Sequence, residues 1–432
     1  MNRLLLTAVI LAAPSLALSQ TDSPSMATLR QSSVRVDSIP LSDTIVAEKL
    51  SAPEGSSKAG PHNRGRDSVG EKDDSQSRFW GSAEYLLWRM KGSDLPPLIT
   101  VGPGTIGSRQ AIIGQPGTII VLGGERLYLG KFPGGRFTAG MWLNKKRDLG
   151  VEVSYFFLKE RTFKFQVSSN GQAGSQVIAR PYFNILTNAE ASLTAGGPLY
   201  LDAIPPLFDV GSITATLPSQ LQGAGANLAY RLAKINCCRI TLLAGFRYLD
   251  LNEGLTMMDV EDVNRTHRTD MDQFFTRNRF YGGQVGARSA FRQGHLSLEL
   301  SGSVALGSNR ESVEINGATF HSLNLPHDRV GAILAAASNI GRYSRSKFTV
   351  IPETSVNLGY DLGRTLRASV GYDFFFWNRV VRPGDQIDRV VNPLMAPALS
   401  GVFLQGPLRP AFSFNDKWFW AQGLRLGIQT RF

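Results

Sequence analysis

Hydrophobic and polar residues alternate with a period of two at the C-terminal end of the chain. In KWFWAQGLRLGIQTRF, the residues fall on two faces: Trp418, Trp420, Gln422, Leu424, Leu426, Ile428, Thr430 and Phe432 on one, and Phe419, Ala421, Gly423, Arg425, Gly427, Gln429 and Arg431 on the other. This is the period of a β-strand. A helix is disfavoured because Gly423 and Gly427 would each cost about 1 kcal/mol in its interior. The stretch also reaches the roughly 9 to 11 residues that a tilted strand needs to cross a bilayer.

Other segments show the same alternation, most clearly HLSLELSGSVAL, CCRITLLAGFRYLDL and RTLRASVGYDFFFW. In the first of these, Leu296, Leu298 and Leu300 share a face opposite Ser297 and Glu299. The same treatment of the whole chain predicts ten strands, over residues 79–90, 135–143, 149–168, 209–232, 238–262, 278–291, 295–315, 345–361, 364–381 and 415–432.

The connections between these strands are alternately short and long. The short ones are 144–148, 233–236, 292–294 and 362–363, and the long ones are 91–134, 169–208, 263–277, 316–344 and 382–414. Short periplasmic turns and long external loops are typical of an all-β, antiparallel, up-and-down transmembrane barrel. A closed barrel requires the last strand to pair with the first, since an open edge in lipid leaves backbone groups without partners. The alternative is twelve strands, with an extra hairpin between Ser175 and Tyr200.

The N-terminal residues predict export. MNRLLLTAVILAAPSLALSQ has Arg3 before an apolar run that Pro14 interrupts, and small residues at Ala17 and Ser19. This pattern predicts a cleaved signal peptide at residues 1–19. Residues 20–78 have no aromatic side chain, which predicts a disordered periplasmic linker. Residues 79–432 would then form the barrel, in the outer membrane.

Composition adds limits without revealing a barrel. The chain has 42% hydrophobic residues, as a soluble protein could. Its formal net charge of +11 could favour anionic solutes or an anionic lipid surface, and in an exported chain it does not indicate nucleic acid. The only cysteines, Cys237 and Cys238, are adjacent, so two unpaired thiols at a turn are expected.

The chain resembles a known family in a series of long, ordered stretches. They are RFWGSAEYLLWRMKGSDLPPLIT, PGGRFTAGMWL, GVEVSYFFLKER, LLAGFRYLDLNEGLTM, RNRFYGGQVGAR, VEINGATF, SNIGRYSRSKFTVIPETSVNLGY, NRVVRPGDQIDRVVNP and FWAQGLRLGIQTRF. Together they resemble the beta-barrel porin family of type seven, known from planctomycete outer membranes, over nearly all of residues 78–432. The resemblance implies an outer-membrane barrel in contact with lipid, and it supplies no catalytic residues. The terminal Phe432 is similar to the signal that the outer-membrane assembly machinery reads.

A passive channel for small, and by charge anionic, solutes is the first functional hypothesis. The candidate pore-lining residues are Arg239, Arg247, Glu299, Arg367, Asp373, Arg425 and Arg431. Ten strands leave room for a narrow conduit at best, because barrels of about 8 strands are filled by their own side chains. The alternative is a surface structural or adhesion barrel, in which paired charges plug the lumen.

Enzyme activity is not expected. His295 and Glu299 share a strand face near a turn, and His321 and His327 lie in a loop with Asp328, but neither set has a recognisable nucleophile. No spacing of Cys and His suggests a metal site, and no cofactor is expected. The pattern specifies no oligomeric state.

Overall fold

The computed structural model describes residues 78–104, 111–199, 207–235, 238–263, 266–322, 329–399 and 405–432. The predicted signal peptide and all of the predicted linker except Arg78 lie outside the described residues, as do Cys237, His327 and Asp328. Cys238, which is described, forms no disulfide. No helix among the described residues has the length and apolar character needed to cross a membrane.

The described residues form twenty strands and two 3₁₀ helices. The strands are β1 (Phe79–Met90), β2 (Ser93–Asp94), β3 (Ile99–Gly102), β4 (Ile119–Leu122), β5 (Arg126–Leu127), β6 (Lys131–Trp142), β7 (Leu149–Leu158), β8 (Arg161–Ser169), β9 (Val177–Asn184), β10 (Ala189–Thr194), β11 (Gly197–Leu199), β12 (Leu207–Ile235), β13 (Cys238–Val263), β14 (Thr266–Gln293), β15 (Leu296–His321), β16 (Arg329–Val330), β17 (Gly341–Asp361), β18 (Leu366–Val381), β19 (Val390–Val391) and β20 (Asp416–Arg431). The 3₁₀ helices are Pro383–Gln386 and Pro393–Met395.

Ten of the described strands close into an antiparallel barrel, which confirms the predicted fold. The order around the wall is β1, β6, β7, β12, β13, β14, β15, β17, β18 and β20, and β20 pairs with β1 from Trp80↔Arg431 to Met90↔Ala421. The hairpin that the twelve-strand alternative required does exist, as β9 and β10. It belongs to a separate sheet with β3, β4 and β19, so it does not enlarge the barrel.

The two largest differences from the predicted strands concern β14 and β7. The predicted loop 263–277 is wrong, because β13 and β14 continue as one long hairpin to Val263 and Thr266. Polar and apolar residues occur on both faces of this segment, as inward Asp272 and Phe274 and outward Gln273 show, so no simple alternation marks it. The predicted strand 149–168 is two strands, β7 and β8, which both pair with β12.

Apolar side chains point outward at one end of the barrel and inward at the other. We call the end with the short turns the turn end and the other the loop end. Towards the turn end, each barrel strand points an apolar side chain outward that is at least 40% exposed, namely Tyr85, Phe137, Val153, Leu228, Phe246, Val285, Leu300, Leu358, Val370 and Leu426. On β13 the pattern inverts after Tyr248, and Leu249 and Leu251 are fully buried inside. An apolar outer face suits lipid, so the turn-end part spans the membrane and the loop end projects from it.

Candidate functional site

The turn-end half of the lumen holds a polar cavity of about 210 Å³, which we call the vestibule. That volume has room for several water molecules. The charged residues among the described side chains that line it are five arginines and five carboxylates: Arg136, Arg247, Arg288, Arg367 and Arg425, with Glu84, Glu152, Glu299, Glu353 and Asp373. The vestibule is therefore polar and electrically balanced.

The strongest pairs in the vestibule join strands that are not neighbours in the wall. Arg247 on β13 donates from Nε and Nη2 to the two carboxylate oxygens of Glu353 on β17, at 2.8 and 3.0 Å. Arg288 on β14 binds Glu152 on β7 in the same two-pronged way, at 3.0 and 2.8 Å. Such bidentate pairs hold the charges in fixed positions across the lumen.

A second group of charges shares two carboxylates between two guanidinium groups. Arg136 Nη1 lies 3.2 Å from Asp373 and 3.7 Å from Glu84. Arg425 Nη1 lies 3.3 Å from Asp373 and 3.8 Å from Glu84. With these contacts, each arginine is compensated and the group carries no net charge.

The structure brings five of the seven predicted pore-lining residues together in the vestibule: Arg247, Glu299, Arg367, Asp373 and Arg425. Arg367 pairs with Asp361 at 2.7 Å, and Glu299 lies 3.7 Å from Arg288. Arg239 and Arg431 do not line the cavity.

Sequence reasoning missed half of the charged wall, namely Glu84, Arg136, Glu152, Arg288 and Glu353. The strand alternation could have identified some of these residues. Glu152 stands between Val151 and Val153 in GVEVSYF, so a strand with an apolar outer face must point it inward.

A packed apolar layer closes the lumen on the loop-end side of the vestibule. All ten barrel strands contribute to it, and none of its members is more than 5% exposed: Leu86, Trp88, Met90, Phe132, Phe156, Leu158, Leu221, Leu249, Leu251, Phe280, Ala305, Ile351, Phe375, Trp377, Val380, Phe419 and Ala421. Trp88 packs against Phe156 and Phe375, with ring centroids 5.4 and 6.0 Å apart. In this conformation water does not reach these side chains. The prediction of a polar interior therefore holds only below the apolar layer.

The end of β18 supplies part of this layer where it separates from β17, while it stays paired with β20 as far as Val381. Its ladder to β17 stops at the pair Glu353↔Phe375, next to Pro352, which has no N–H to donate. On the same edge, the Val350 N–H instead donates to Asn378 Oδ1 at 3.2 Å. Residues 377–386, which we call the strap, then run over the lumen.

Polar side chains fix the strap in place. Asn278 on β14 bonds both backbone groups of Val381, at 2.8 and 2.9 Å. Arg382, only 4% exposed, donates two bonds of 2.7 Å to Glu253 and two more to the carbonyls of Lys91 and Gly92. These bonds replace part of the lost pairing with β17, while Trp377, Val380 and Val381 remain in the ladder with β20.

The loop end is covered by a cap, formed by the sheet of β3, β4, β9, β10 and β19. Its core packs apolar side chains of these strands against the inner faces of the extended barrel strands, including Ile99, Ile178, Leu255, Met257 and Phe274. Arg180 from β9 enters the barrel and binds Asp259 at 2.8 Å and Asp272 at 2.5 Å, with all three side chains almost completely buried. This arginine joins the cap to the wall.

Burial changes the protonation of this junction. Removal from water raises the pKa of Asp259 to about 7, because the nearby carboxylates of Asp270 and Asp272 add to burial and Arg180 offsets them only in part. Burial likewise raises the pKa of Glu261 to about 7. We therefore expect the attachment of the cap to depend on pH in the neutral range.

The first and last residues of the barrel close it at the turn end. Phe79 N–H donates to the Phe432 carbonyl at 2.9 Å, and Phe432 N–H donates to the Phe79 carbonyl at 3.1 Å. Their rings stack with centroids 6.4 Å apart, while Phe432 remains 66% exposed. The terminal ring is thus held by backbone bonds on a surface that other molecules can reach.

Comparison with known protein families matches most of the chain to one family model. A family described as "Putative beta barrel porin-7" matches residues 80–432. No curated protein matches the chain.

Solved structures give weak similarity only. A FadL homologue from Pseudomonas aeruginosa is 6% identical, with 83% of this chain and 90% of that chain covered and a TM-score of 0.22. A mutant of the monoaromatic hydrocarbon channel TodX is 8% identical, with 82% and 91% covered and a TM-score of 0.20. At TM-scores this low, the resemblance carries no weight for fold or function.

Proposed function

The chain belongs to the "Putative beta barrel porin-7" family, and from this premise we propose that it is a narrow, gated channel for small polar solutes in the outer membrane. In this proposal the conformation described above is the closed state. The vestibule is the periplasmic half of the route, and the apolar layer is its gate.

The observation that carries the proposal is the change from polar to apolar surroundings along the lumen. A charged vestibule with room for several water molecules ends at one apolar layer, whose members are at most 5% exposed. Hydrophobic constrictions of this kind can gate a pore by excluding water.

Two buried hydrogen-bond donors without partners favour an apolar layer that can open. The indole N–H groups of Trp88 and Trp377 are buried and have no hydrogen-bond partner among the described residues. A buried donor without a partner costs about 1–3 kcal/mol. A rearrangement that admits water to the layer recovers that free energy, so it offsets part of the packing that is lost.

The proposal does not include the anion preference that the interior arginines suggested. Those arginines face an equal number of carboxylates in the vestibule, and the bidentate pairs Arg247–Glu353 and Arg288–Glu152 cancel locally. Selectivity in such a lumen comes from the net field of its wall. Weak charge selectivity and a size limit are therefore expected.

Swelling of vesicles that contain the purified barrel tests this proposal. Vesicles loaded with an impermeant polymer should swell in glycine or glycerol and should not swell in sucrose, because the lumen of a ten-stranded barrel is narrow. The unmodified barrel is compared with the double variant Arg247→Ser, Glu353→Ser. This variant lacks one ion pair across the lumen, and its wall stays neutral. That variant should swell faster in glycine, and absence of swelling in both proteins would refute the channel.

The second candidate is a surface structural barrel with a permanently plugged lumen. It is favoured by the cap, since Arg180 and Arg382 tie separate layers together through buried charges. The same experiment separates the two, because a permanent plug predicts no swelling by the unmodified barrel in any solute.

A further inference from the structure

Two arginines lie directly opposite each other on the outer face of the barrel. Arg279 on β14 pairs in register with Arg310 on β15. Both point outward, because the residues on either side of them along each strand face inward and are buried. Side chains opposite each other in an antiparallel ladder have Cβ atoms about 4.5–5.5 Å apart, and like charges in such a pair are destabilising.

No carboxylate of the described residues neutralises this pair. Asp250 lies opposite Arg279 on the other side, but Arg277 binds both of its oxygens, at 2.9 and 2.7 Å. Across from Arg310 stands Ser346, which is uncharged. Neither Arg279 nor Arg310 forms an ion pair within the described part of the chain, and the Nε of Arg279 is buried without a hydrogen-bond partner. Among the described residues, therefore, no carboxylate is bonded to either positive charge, and Asp250 is shared with Arg277.

The pair stands immediately beyond an aromatic band on the lipid-facing surface. The next outward positions towards the turn end are Tyr281 on β14 and Ser308 on β15, which are opposite each other. Ser308 also faces Phe348 on β17, which is 65% exposed, and the ring of Tyr281 lies 5.1 Å from that of Tyr248. Aromatic bands mark the level of the lipid headgroups. Arg279 and Arg310 therefore lie at the height of the outer-leaflet headgroups.

We propose that Arg279 and Arg310 bind the phosphate of an anionic lipid headgroup in the outer leaflet. A guanidinium group presents two parallel donors that match phosphate oxygens, and one phosphate between two such groups removes their repulsion. The hydroxyl groups of Ser308 and Ser346 lie on the same outer face and are available as further donors. A lipid is the source because the site is on the outer wall of the barrel, next to its apolar surface. The inference rests on the place of the barrel in the membrane and is independent of conduction.

Lipid binding to the purified barrel in detergent tests this inference. Native mass spectrometry can count bound dioctanoyl phosphatidic acid, with dioctanoyl phosphatidylcholine as the zwitterionic reference and inorganic phosphate as a soluble competitor. The unmodified barrel should retain the acid in preference to the reference. The double variant Arg279→Gln, Arg310→Gln should bind it roughly 10- to 30-fold more weakly, since each basic residue near an anionic headgroup contributes about a factor of five.

The matched control is Lys131→Gln with Lys159→Gln, which removes the same charge from exposed positions at the loop-end limits of β6 and β7. It should bind phosphatidic acid as the unmodified barrel does, and Arg279→Lys with Arg310→Lys should bind with intermediate affinity. Retained heat-modifiable migration on gels establishes that each variant is folded. The inference is overturned if the control loses as much affinity as the arginine variant, or if the unmodified barrel does not distinguish the two lipids. Displacement of the lipid by equimolar inorganic phosphate would also overturn it, because the ligand would then be the free anion.

Discussion

Phe280 on β14 and Trp377 on β18 meet edge to face inside the barrel, with ring centroids 6.4 Å apart and an angle of 74° between their planes. Two strands separate β14 from β18 in the wall, so the contact crosses the lumen. Both side chains are completely buried. Their contact is part of the apolar layer that separates the vestibule from the cap.

Replacing Trp377 with Ala should both destabilise the barrel and make it leak. Removal of a buried Trp typically costs about 3–5 kcal/mol, because it leaves a cavity. Here the cavity would open within the apolar layer that bounds the vestibule, so we expect it to admit water. The matched control is Trp418→Ala, which removes the same side chain from the outer face, where Trp418 is 47% exposed. Thermal unfolding and dye release from vesicles measure the two effects, and equal results for both variants would contradict a closing role for Trp377.

The attachment of the cap should weaken as the pH rises from 5 to 8. Burial raises the pKa of Asp259 to about 7, whereas an exposed Asp titrates near 4. Between these values the folded state binds the proton and the unfolded state does not, so the free energy of unfolding falls with rising pH. Hydrogen exchange of β9 amides, corrected for intrinsic rates, should reveal less protection at pH 8. Asp259→Asn should make this protection less dependent on pH. A cap that is equally or better protected at pH 8 would contradict the prediction.

Replacing Phe432 with Ser should reduce assembly into the outer membrane without blocking export. Among the described residues the terminal ring stacks on Phe79, and it is exposed, so we expect it to be accessible to the assembly machinery. Phe79→Ser is the matched control, because it removes the same stack and keeps the terminal aromatic residue. The amount of folded, heat-modifiable barrel in membrane fractions distinguishes the two. Equal losses would assign the effect to ring stacking instead of recognition.

The orientation of the barrel can be tested by cysteine labelling in a background with Cys237 and Cys238 replaced by Ser. Gln115→Cys and Gln405→Cys lie at exposed positions of long connections and should react with an impermeant maleimide on intact cells. Lys146→Cys and Gln293→Cys, at exposed positions by short turns, should react only after the cells are opened. Ser93 and Gln386 are unsuitable probes of the long connections because both are buried. Labelling of the short turns on intact cells would show that the barrel has the opposite orientation.

Alternation alone predicted the number of barrel strands and most of their limits. The first strand, Phe79–Met90, has the predicted bounds, because a lipid-facing surface on one side forces a strict period of two. The same property explains why Arg425 and Asp373 could be assigned to the interior.

The apolar layer could not be predicted in this way. Strands longer than a bilayer requires, such as 209–232, do predict a folded cap beyond the membrane, but not which strands form it. The inversion of the faces shows only as two adjacent apolar residues, Tyr248 and Leu249, which a local pattern does not distinguish from a break in the strand. The strap depends on contacts distant in sequence, such as Asn278 with Val381. The pairing of Arg247 with Glu353 depends on which strands face each other across the lumen, and alternation contains no such information.

Single-channel recording of the unmodified barrel in a planar bilayer tests most directly the claim that the apolar layer is a gate. The account predicts a barrel that is closed most of the time, with brief, discrete openings of small conductance and little preference between potassium and chloride. Trp377→Ala should lengthen the openings without changing that weak selectivity. A barrel that is silent both before and after this substitution, or one that conducts continuously without closing, would contradict the account.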